Sequence, residues 1–515
     1  MRPIDYFDRG AQIARDQVFV EGNGRRYTYA EAQQETRSIA CSLYNAGFEL
    51  GDSVAVFSPN EPAAVVCILA IYRAGGAWVP VNVRNAPGSN AEYMAYVNTR
   101  WLFFHSSVIA DVEAIIPHLA DLKGAVCIDR GDTGYPALSE FCSPETATPV
   151  PDWSDPFSAP DVIFSRWPTG GTTGPSKGVE ISNRSICTMI ELGLRHYIGE
   201  QTDGVVHLAV APITHAAGVI ISIYAAIGGR TVVLPQFDAV DVLRAIEKHR
   251  VTHIFLPPTA YYALLDEAAK SDYDTSSLRQ LLLAAAPVSP DKLRQGVELF
   301  GPVLCQCFGQ AESPMLVSWL SPGVLAAAVA GKHPERIASC GQVTSSTQVA
   351  ILDENGLEVP MGERGEICVR GPLVTPGYYK KPEDTAAARQ FGWHHTGDVG
   401  TLDEYGYLYI VDRLKDMIIT GGFNVFSAEV ETPILAQPEV LECAVIGVPD
   451  EKWGESIKAL VVLREGYSLT AQQLIDRVRG KLGGVKTPKS VEICDVIPKT
   501  NVGKTDKKAL RKLYC

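Results

Sequence analysis

The sequence predicts an α/β protein. Its large N-terminal domain, residues 1–414, would hold two parallel-rich sheet subdomains and a β-barrel-like subdomain, and its small C-terminal domain, residues 415–515, would be α+β. First, strand-like and amphipathic helical runs alternate through the first 300 residues, which is typical of parallel sheets covered by helices. Second, short strand-like runs separated by glycine-containing turns follow residue 340, which favours antiparallel pairing. Third, the last hundred residues mix both patterns.

The predicted elements follow this order along the chain. The early strands alternate with helices, and their predicted ranges are 53–57, 77–81, 161–165, 179–181, 204–211, 230–234, 253–256 and 302–305. The helices that alternate with them are predicted at 61–74, 218–227 and 239–249. The later, antiparallel strands are predicted at 348–353, 365–370, 397–402 and 407–411.

The last hundred residues differ from the rest of the chain in charge as well as in strand pattern. The 515 residues carry a formal charge of −13, with 46% hydrophobic residues. Residues 415–515 hold 15 basic and 13 acidic side chains, so the negative charge belongs to the N-terminal part. Proteins that bind nucleic-acid phosphates usually carry a basic face, so DNA or RNA is not the expected partner of a chain this acidic. The hydrophobic content argues against a disordered chain.

The cysteines and the apolar stretches favour a cytoplasmic protein without a membrane span. The 12 cysteines are scattered, and the close pair Cys305 and Cys307 has no second Cys/His pair at zinc-ligand spacing, so we expect reduced thiols. The N-terminus has no signal-like apolar region. The most apolar stretch, 205–227, is interrupted by His207 and Pro212, which argues against a transmembrane helix.

A Gly/Thr-rich segment follows the predicted strand 161–165. Glycines let a backbone approach phosphates closely, and amide, hydroxyl and lysine groups supply donors. No glycine directly precedes the lysine, so the segment is not a Walker loop, and taken alone a flexible turn is the plainer interpretation. The candidate phosphate-binding residues are Thr169, Gly170, Gly171, Thr172, Thr173, Gly174 and Lys177.

Two further segments carry side chains suited to a nucleotide. Glu312 lies just beyond a predicted strand end and could hold Mg²⁺ against phosphates, while Phe308 could stack on a base. Asp398 could accept the hydroxyls of a ribose, with Arg413 fifteen residues later near the same sugar. Taken singly, each could be an ordinary surface or core residue.

The C-terminal domain opens and closes with two more candidates. Residues 412–424 run from a charged, turn-prone segment through an apolar run to Gly421 and Gly422, which is consistent with a hinge followed by a narrow backbone passage or with a plain linker and strand. Residues 498–504 end at Lys504, which is either a solvated loop lysine or a cation delivered to an anionic centre.

Taken together and in order, these five segments resemble the acyl-adenylate-forming ligases. That superfamily includes acyl-CoA synthetases, firefly luciferase and the adenylation domains of peptide synthetases. The resemblance runs from the segment Arg26–Tyr29 to Lys504, and it is the ordered set that is specific rather than any one motif. Supporting segments lie at 74–81, 212–215, 285–287 and 371–378.

The resemblance implies a role for each position. Residues 169–177, with Lys177, would hold the β- and γ-phosphates of ATP, and Glu312 would bind Mg²⁺. The adenine would lie near Phe308, Gly309 and Ala311, and the ribose near Asp398 and Arg413. Lys504 would bridge the substrate carboxylate and the α-phosphate, and Lys415 would be the hinge of a mobile C-terminal domain. The implied acid pocket comprises His215, Ala216, Gly218, Ala284, Ala285 and Ala286, and the implied CoA tunnel Gly421 and Gly422.

The implied reaction is ATP-dependent ligation of a carboxylic acid to CoA through an acyl-adenylate, releasing AMP and pyrophosphate. Mg²⁺ is the expected cofactor, and the acid, ATP and CoA are the expected small-molecule partners. Alanines at 284 and 285, where many members have glycines, would narrow the acid pocket and favour a medium-size aryl, alicyclic or medium-chain acid. Two other departures from the family pattern are Ala311 in place of threonine and Ser427 where proline is common.

Other interpretations stay open at this point. The chain could be a stand-alone adenylating enzyme that loads a carrier protein, a long-chain fatty acid–CoA ligase, or a non-catalytic adenylate-binding protein. A fused carrier is not expected, because only eleven residues follow Lys504. A homodimer is a further possibility. The segment from Pro498 to Lys504 also fits a lysine-acetylation pattern, and acetylation would remove the Lys504 charge and stop adenylation.

Overall fold

The computed structural model describes residues 1–142, 159–169, 176–500 and 505–514. These residues form two compact units. The first comprises Met1–Val349 with Val369–His394, and the second comprises Ala350–Cys368 with His395–Cys515. Among the described residues, no helix has the length and apolar character needed to cross a bilayer.

Helices lie along the whole described chain. Their bounds are α1 Pro3–Ile13, α2 Tyr29–Asn45, α3 Pro62–Ala74, α4 Pro87–Tyr96, α5 Ile109–Ile115, α6 Leu138–Phe141, α7 Asn183–Gly193, α8 Ala216–Ala225, α9 Ala239–His249, α10 Pro258–Ala268, α11 Pro290–Phe300, α12 Pro322–Val329, α13 Pro382–Ala387, α14 Ser427–Leu435, α15 Ala471–Leu482 and α16 Lys507–Tyr514.

Strands alternate with these helices at first and later follow one another directly. Their bounds are β1 Val18–Gly22, β2 Arg25–Thr28, β3 Ser53–Phe57, β4 Ala77–Val81, β5 Thr99–Phe104, β6 Gly124–Cys127, β7 Ile163–Pro168, β8 Gly178–Ser182, β9 Val206–Ala209, β10 Arg230–Val233, β11 His253–Leu256, β12 Gln280–Leu283, β13 Leu304–Gln310, β14 Ser313–Leu320, β15 Gly341–Val343, β16 Gln348–Leu352, β17 Gly365–Arg370, β18 Gly377–Tyr378, β19 His394–Leu402, β20 Tyr407–Arg413, β21 Ile418–Thr420, β22 Phe423–Val425, β23 Val440–Asp450, β24 Gly454–Leu463 and β25 Ser490–Ile493.

One sheet of the first unit has the strand order β18-β8-β7-β4-β3-β5-β6. Strand β3 pairs in parallel with β4 and β5, while β7 and β8 are antiparallel. Every residue of β3, β4 and α3 is buried, which is expected for strands covered on both faces. Helix α3 starts with Pro62 in its first turn and ends at Gly75 in the left-handed conformation, as the residue preferences at helix ends predict.

The other sheet of the first unit runs in the order β15-β14-β13-β12-β11-β9-β10-β1-β2. Strands β10, β9, β11, β12 and β13 are parallel neighbours, and β13 then pairs antiparallel with β14 through a two-residue connection. The chain leaves β9 for β10 on one side and later returns to its other side with β11, so the order reverses there. Ligands of α/β sheets bind at the carboxyl ends of strands near such a reversal.

The second unit has two groups of strands. Strands β16, β17, β19 and β20 lie side by side in that order, with β19 and β20 antiparallel. A separate sheet has the order β22-β21-β24-β23, and β25 pairs with β24. Residues of α14 and α15, among them Val430 and Leu474, are fully buried against this sheet, while Leu510 of α16 packs with residues of β23 such as Ile446.

Candidate functional site

The two ends of the Gly/Thr-rich segment are hydrogen-bonded to each other. The amide of Thr169 donates to the Lys177 carbonyl at 2.9 Å, and the amide of Lys177 donates to the Thr169 hydroxyl at 3.1 Å. Both ends extend the antiparallel pair β7–β8. The predicted positions Gly170, Gly171, Thr172, Thr173 and Gly174 lie outside the described residues, so the structure places only the base of the loop.

The Lys177 side chain lies between Tyr378 and Asp384, two residues about 200 positions later in the sequence. Its ammonium is 2.6 Å from Oδ1 of Asp384 and 5.0 Å from the centre of the Tyr378 ring. Strand pairing brings these residues together, because Tyr378 of β18 lies opposite Val179 of β8, two residues after Lys177. The lysine therefore has an anion and an aromatic face beside it.

Tyr378 also reaches the predicted magnesium ligand. Its hydroxyl donates to Oε1 of Glu312 at 2.8 Å, and burial followed by the Glu312 charge raises the pKa of the phenol, so it stays a proton donor. The half-buried Glu312 lies in the short connection between β13 and β14. A small cavity beside it is lined in part by Thr375, Thr385, Arg389 and His394.

The predicted adenine-side residues surround the same connection. Phe308 is buried on β13, and Ala311 occupies the turn next to Glu312. A Cβ at Gly309 would lie 2.5 Å from the Met315 amide nitrogen, so this position requires glycine for the two strands to approach. The amide of Thr375 donates to the Glu312 carbonyl, which fixes the connection from the other side.

The predicted ribose-contacting residues form a cross-strand pair. Asp398 of β19 lies opposite Arg413 of β20, and the Arg413 Nε is 2.9 Å from Oδ1 of Asp398. The carboxylate is 6% exposed and the guanidinium 47%, so the acid is fixed while the arginine reaches solvent. Glu366 of β17 supports this loop by accepting from the Gly397 amide at 2.9 Å and contacting His395 Nδ1 at 2.7 Å.

His215 lies in the loop that follows β9, at the switch in strand order. Its ring centre is 5.5 Å from that of Trp167 on β7, and it immediately precedes α8, whose first residue is Ala216. A Cβ at Gly218 would lie 1.9 Å from the Ile213 carbonyl oxygen, so glycine is required there.

A buried asparagine, Asn60, holds the loop that carries His215. Its amide nitrogen donates to the carbonyls of Val210, Ala211 and Leu234 at 3.0–3.3 Å, and its side-chain oxygen accepts from the Ile213 amide at 2.9 Å. One side chain thus satisfies four backbone groups on two chain segments. Asn60 could not be identified from the sequence, because nothing in the neighbouring residues distinguishes it.

The Ala-Ala-Ala segment follows β12, next to β11 in the parallel sheet. Ala284 is partly buried, whereas Ala285 and Ala286 are exposed. Ala285 adopts φ = +76°, a left-handed conformation that glycine adopts at little cost and alanine does not. The substitution noted in the sequence therefore places alanine where the backbone favours glycine.

The glycine pair predicted for the CoA tunnel forms a hairpin turn between β21 and β22. Gly421 and Gly422 have φ of +58° and +80°, as a two-residue turn with both central residues at positive φ demands. The Gly421 amide donates to the Trp453 carbonyl at 2.8 Å, and a Cβ on Gly421 would lie 2.7 Å from the Trp453 ring. The exposed Phe423 follows the turn.

The predicted hinge, Lys415, lies in the 3₁₀ turn Leu414–Asp416, three residues after Asp412, which belongs to a partly buried polar cluster. Asp412 accepts from the Ser427 hydroxyl at 2.7 Å and from the Ala428 amide at 3.1 Å. Lys507 donates to the same hydroxyl and is 2.7 Å from a Glu431 carboxylate oxygen. Serine at 427 thus has a structural explanation that the sequence did not supply.

The structure brings together some of the predicted residues, whereas the glycines and threonines of 170–174 and Lys504 lie outside the described residues. Lys177 and Glu312 are linked by Tyr378, and Asp398 pairs with Arg413. Tyr378 belongs to a segment that supported the family resemblance, but its contact with Glu312 has no sequence signal, and neither has that of Asp384 with Lys177.

Comparisons with known proteins identify the family to which the chain belongs. The family model for AMP-binding enzymes matches residues 7–379, and that for the AMP-binding enzyme C-terminal domain matches residues 429–504. A feruloyl-CoA synthase of an Amycolatopsis species is 35% identical over 98% of each chain. A medium/long-chain fatty acid–CoA ligase, FadD8 of Mycobacterium tuberculosis, is 41% identical over 69% of this chain but only 62% of its own length.

Solved structures give the same result for the fold. The amide bond synthetase McbA from Marinactinospora thermotolerans has a TM-score of 0.88 at 30% identity over the whole of both chains. ATP-bound MatB from Rhodopseudomonas palustris also has a TM-score of 0.88, at 28% identity over 100% of this chain and 99% of its own. The fold and the site define an adenylate-forming α/β enzyme. The chain belongs to the family of AMP-binding enzymes.

Proposed function

We propose that the protein is an ATP-dependent carboxylic acid–CoA ligase that forms an acyl-adenylate. The observation that carries this proposal is the chain of contacts from Lys177 through Tyr378 to Glu312. A cation suited to phosphate lies over the ring face of Tyr378, and a carboxylate suited to Mg²⁺ accepts from its hydroxyl, although the three residues come from separate motifs.

The chemistry needs positive charge, because the substrate carboxylate and the α-phosphate of ATP repel each other. Lys177 and the loop from Thr169 would hold the β- and γ-phosphates, and Lys504 would lie between the carboxylate and the α-phosphate. Glu312 fits a magnesium ligand, since Mg²⁺ takes one or two protein carboxylates together with phosphate oxygens, and the ion would neutralise phosphate charge. A carboxylate is already a nucleophile, so no general base is required.

The nucleoside would occupy the two remaining parts of the site. Phe308 is proposed to stack on the adenine, with Gly309 and Ala311 beside it. The fixed carboxylate of Asp398 would accept the ribose hydroxyls, and the more exposed Arg413 would donate to the same sugar.

The acid is proposed to be a medium-size aryl, alicyclic or medium-chain carboxylic acid. It would lie near His215 and the alanines at 284–286, whose methyl groups reduce the space available. The names of the relatives support this range, because they include a feruloyl-CoA synthase and an indoleacetate–CoA ligase. A long-chain fatty acid remains the alternative, since a long-chain fatty acid–CoA ligase of Bacillus subtilis is 30% identical over 95% of this chain.

In the second half-reaction, the CoA thiol would attack the acyl carbon and AMP would leave. We propose that residues 415–515 form the mobile domain, that Lys415 is its hinge, and that Gly421 and Gly422 border the pantetheine path. Rotation would withdraw Lys504 after the adenylate has formed. The proposed setting is the cytoplasm, where ATP, CoA and reduced thiols coexist.

An acid panel tests the proposal directly. Purified full-length protein with Mg-ATP and CoA is incubated with aryl, alicyclic, medium-chain and long-chain acids, and AMP and thioester are measured. We expect thioester and AMP in equal amounts, both dependent on CoA and on one class of acid. Formation of acyl-AMP without thioester would contradict the proposed transfer of the acyl group to CoA. It would favour an enzyme with another acyl acceptor, as the likeness to an amide bond synthetase allows.

A lysine variant separates an enzyme from a nucleotide binder. Lys504→Ala should reduce adenylation about a hundredfold or more, because it removes a charge that acts on the reacting groups. Nucleotide affinity should change much less, since Lys177 and Glu312 remain. If acid-dependent AMP release by the wild-type protein is absent while ATP still binds, the chain is an adenylate-binding protein.

A further inference from the structure

Lys177 is held by a carboxylate, that of Asp384, to which the proposed function assigns no role. The 2.6 Å contact with Asp384 satisfies the lysine charge, and both side chains are only partly exposed, at 39% and 36%. A phosphate group that binds this ammonium competes with the carboxylate for its charge and for its three N–H donors.

Asp384 is fixed in place by the elements around it. It lies on α13, and the next residue, Thr385, accepts from the Tyr378 amide at 3.0 Å through its hydroxyl. The Thr385 side chain also lies against Gly377, where a Cβ would come within 2.5 Å of it. Helix α13 is thus joined to the strand that carries Tyr378, so the carboxylate and the aromatic face are presented to Lys177 together.

We propose that Asp384 is a positioning residue that acts as an internal substitute for phosphate at Lys177. This rests on the proposed function, in which Lys177 binds the β- and γ-phosphates that leave as pyrophosphate. When pyrophosphate dissociates, Lys177 returns to Asp384 rather than to water. The carboxylate therefore competes with pyrophosphate, weakens its binding and favours its release over reversal of adenylation.

Direct binding of pyrophosphate tests the proposal without knowledge of the acid. Magnesium pyrophosphate is titrated into the full-length protein by calorimetry. Asp384→Asn keeps the shape of the side chain but removes its charge, and should tighten pyrophosphate binding about two- to fivefold, the range for a partly exposed ion pair. Glu383→Gln, a change at the exposed neighbouring carboxylate, is the matched control and should leave the affinity within error.

A double-variant comparison separates the ion pair from general repulsion between Asp384 and the ligand. In a Lys177→Met background, Asp384→Asn should lose most of its effect, because the cation for which both anions compete is gone. Asp384→Glu keeps the negative charge, so its affinity for pyrophosphate should lie between those of the wild type and of Asp384→Asn. An unchanged or weaker affinity of Asp384→Asn would overturn the proposal, and so would a full gain that persists without Lys177.

The same titrations distinguish failure of this proposal from failure of the proposed function. If the wild-type protein does not bind pyrophosphate, and Lys177→Met makes no difference, the assignment of the phosphate site is wrong. If pyrophosphate binds with an affinity that depends on Lys177 but not on Asp384, the phosphate site is assigned correctly and only the proposed competition between Asp384 and pyrophosphate is wrong. Once an acid is identified, Asp384→Asn should also lower the inhibition constant of pyrophosphate by the same factor as its dissociation constant.

Discussion

Ala285 has a backbone conformation that its side chain opposes. At φ = +76° its Cβ crowds the neighbouring carbonyl, a cost of about 1–2 kcal/mol for an L-residue. The residue follows β12 beside the proposed acid pocket. Under the proposed function, the methyl group of this alanine would limit the size of the acid.

Replacing this alanine should stabilise the protein and widen its specificity. Ala285→Gly removes the strain but adds freedom to the unfolded chain, so we expect a net gain of about 0.5–1 kcal/mol in the free energy of unfolding. Urea denaturation measures that gain. In the acid panel, the same variant should accept bulkier acids than the wild type.

The adjacent alanine provides the control. Ala284 does not share the positive φ, so Ala284→Gly should destabilise the protein by about 0.5–1 kcal/mol. If both variants lose stability equally, strain at Ala285 is not the explanation.

At the residue scale, the sequence supplied candidate site residues but not the contacts that their side chains make. Lys177, Glu312 and Asp398 could be identified because each lies in a motif with a recognisable residue pattern. Asn60 and Asp384 could not, because their importance comes from contacts with residues more than a hundred positions away. A single sequence contains no record of such pairings.

At the element scale, hydrophobic periodicity predicted the buried strands and helices well. The strands at Ser53–Phe57 and His253–Leu256 and the helix at Ala239–His249 have the predicted bounds. The strand predicted at 302–305 instead spans Leu304–Gln310 and turns back into β14. That hairpin was missed because its connection, Ala311 and Glu312, lacks the glycine or asparagine that usually marks a tight turn.

The neighbouring strands β9 and β11 place two histidines side by side in the core. His207 and His253 are register partners, and the His207 ring stacks on Tyr224 with centroids 4.2 Å apart. Burial lowers the pKa of His207 to about 3 and that of His253 to about 4. Both rings are therefore neutral in the folded protein at physiological pH.

The two buried histidines predict that the folded protein loses stability in mild acid. Below about pH 6.5 the unfolded chain binds protons on both histidines while the folded chain does not, so stability falls with decreasing pH until the folded pKa values are reached. Lowering the pH from 7 to 5.5 should reduce the free energy of unfolding by about 2–3 kcal/mol, summed over the two histidines.

The test compares two histidine variants with the wild type by urea denaturation at pH 7 and at pH 5.5. His207→Phe keeps an aromatic ring against Tyr224 and should remove about half of this acid-dependent loss. His118→Gln, a change at an exposed histidine, should leave it unaltered. A His207→Phe protein with the wild-type pH dependence would show that other groups dominate.

At the scale of the whole molecule, the proposed hinge predicts a separation between the half-reactions and the complete reaction. Lys415→Pro fixes φ near −65° within the 3₁₀ turn and should hinder rotation. We expect steady-state thioester formation to fall at least about tenfold, with a smaller effect on single-turnover adenylation or on thiolysis of added acyl-AMP.

Lys415→Ala is the matched control for that variant. It removes the same side chain but leaves φ free, so it should slow the complete reaction much less than proline does. Equal losses in the two variants would assign the effect to the lysine side chain and not to rotation.

The net charge is divided unevenly between the two proposed domains. Residues 1–414 carry 31 basic and 46 acidic side chains, a charge of −15, so under the proposed function ATP and CoA would be attracted by local cations against the net field. Alternating strands and helices predicted this large α/β part. Which residues move as one domain is a property of contacts across the chain, and the sequence supplied only a composition change for it.

The cluster around Asp412 bears on how the enzyme would respond to heat. Asp412 precedes the proposed hinge, whereas its partners Ser427 and Ala428 follow it, so rotation about Lys415 has to break these hydrogen bonds. Breaking polar contacts in this partly buried cluster has an enthalpic cost. If this conformational step limits turnover, the complete reaction should have a steeper Arrhenius slope than adenylation alone, and a cold-grown cell would lose thioester synthesis before it lost acyl-adenylate.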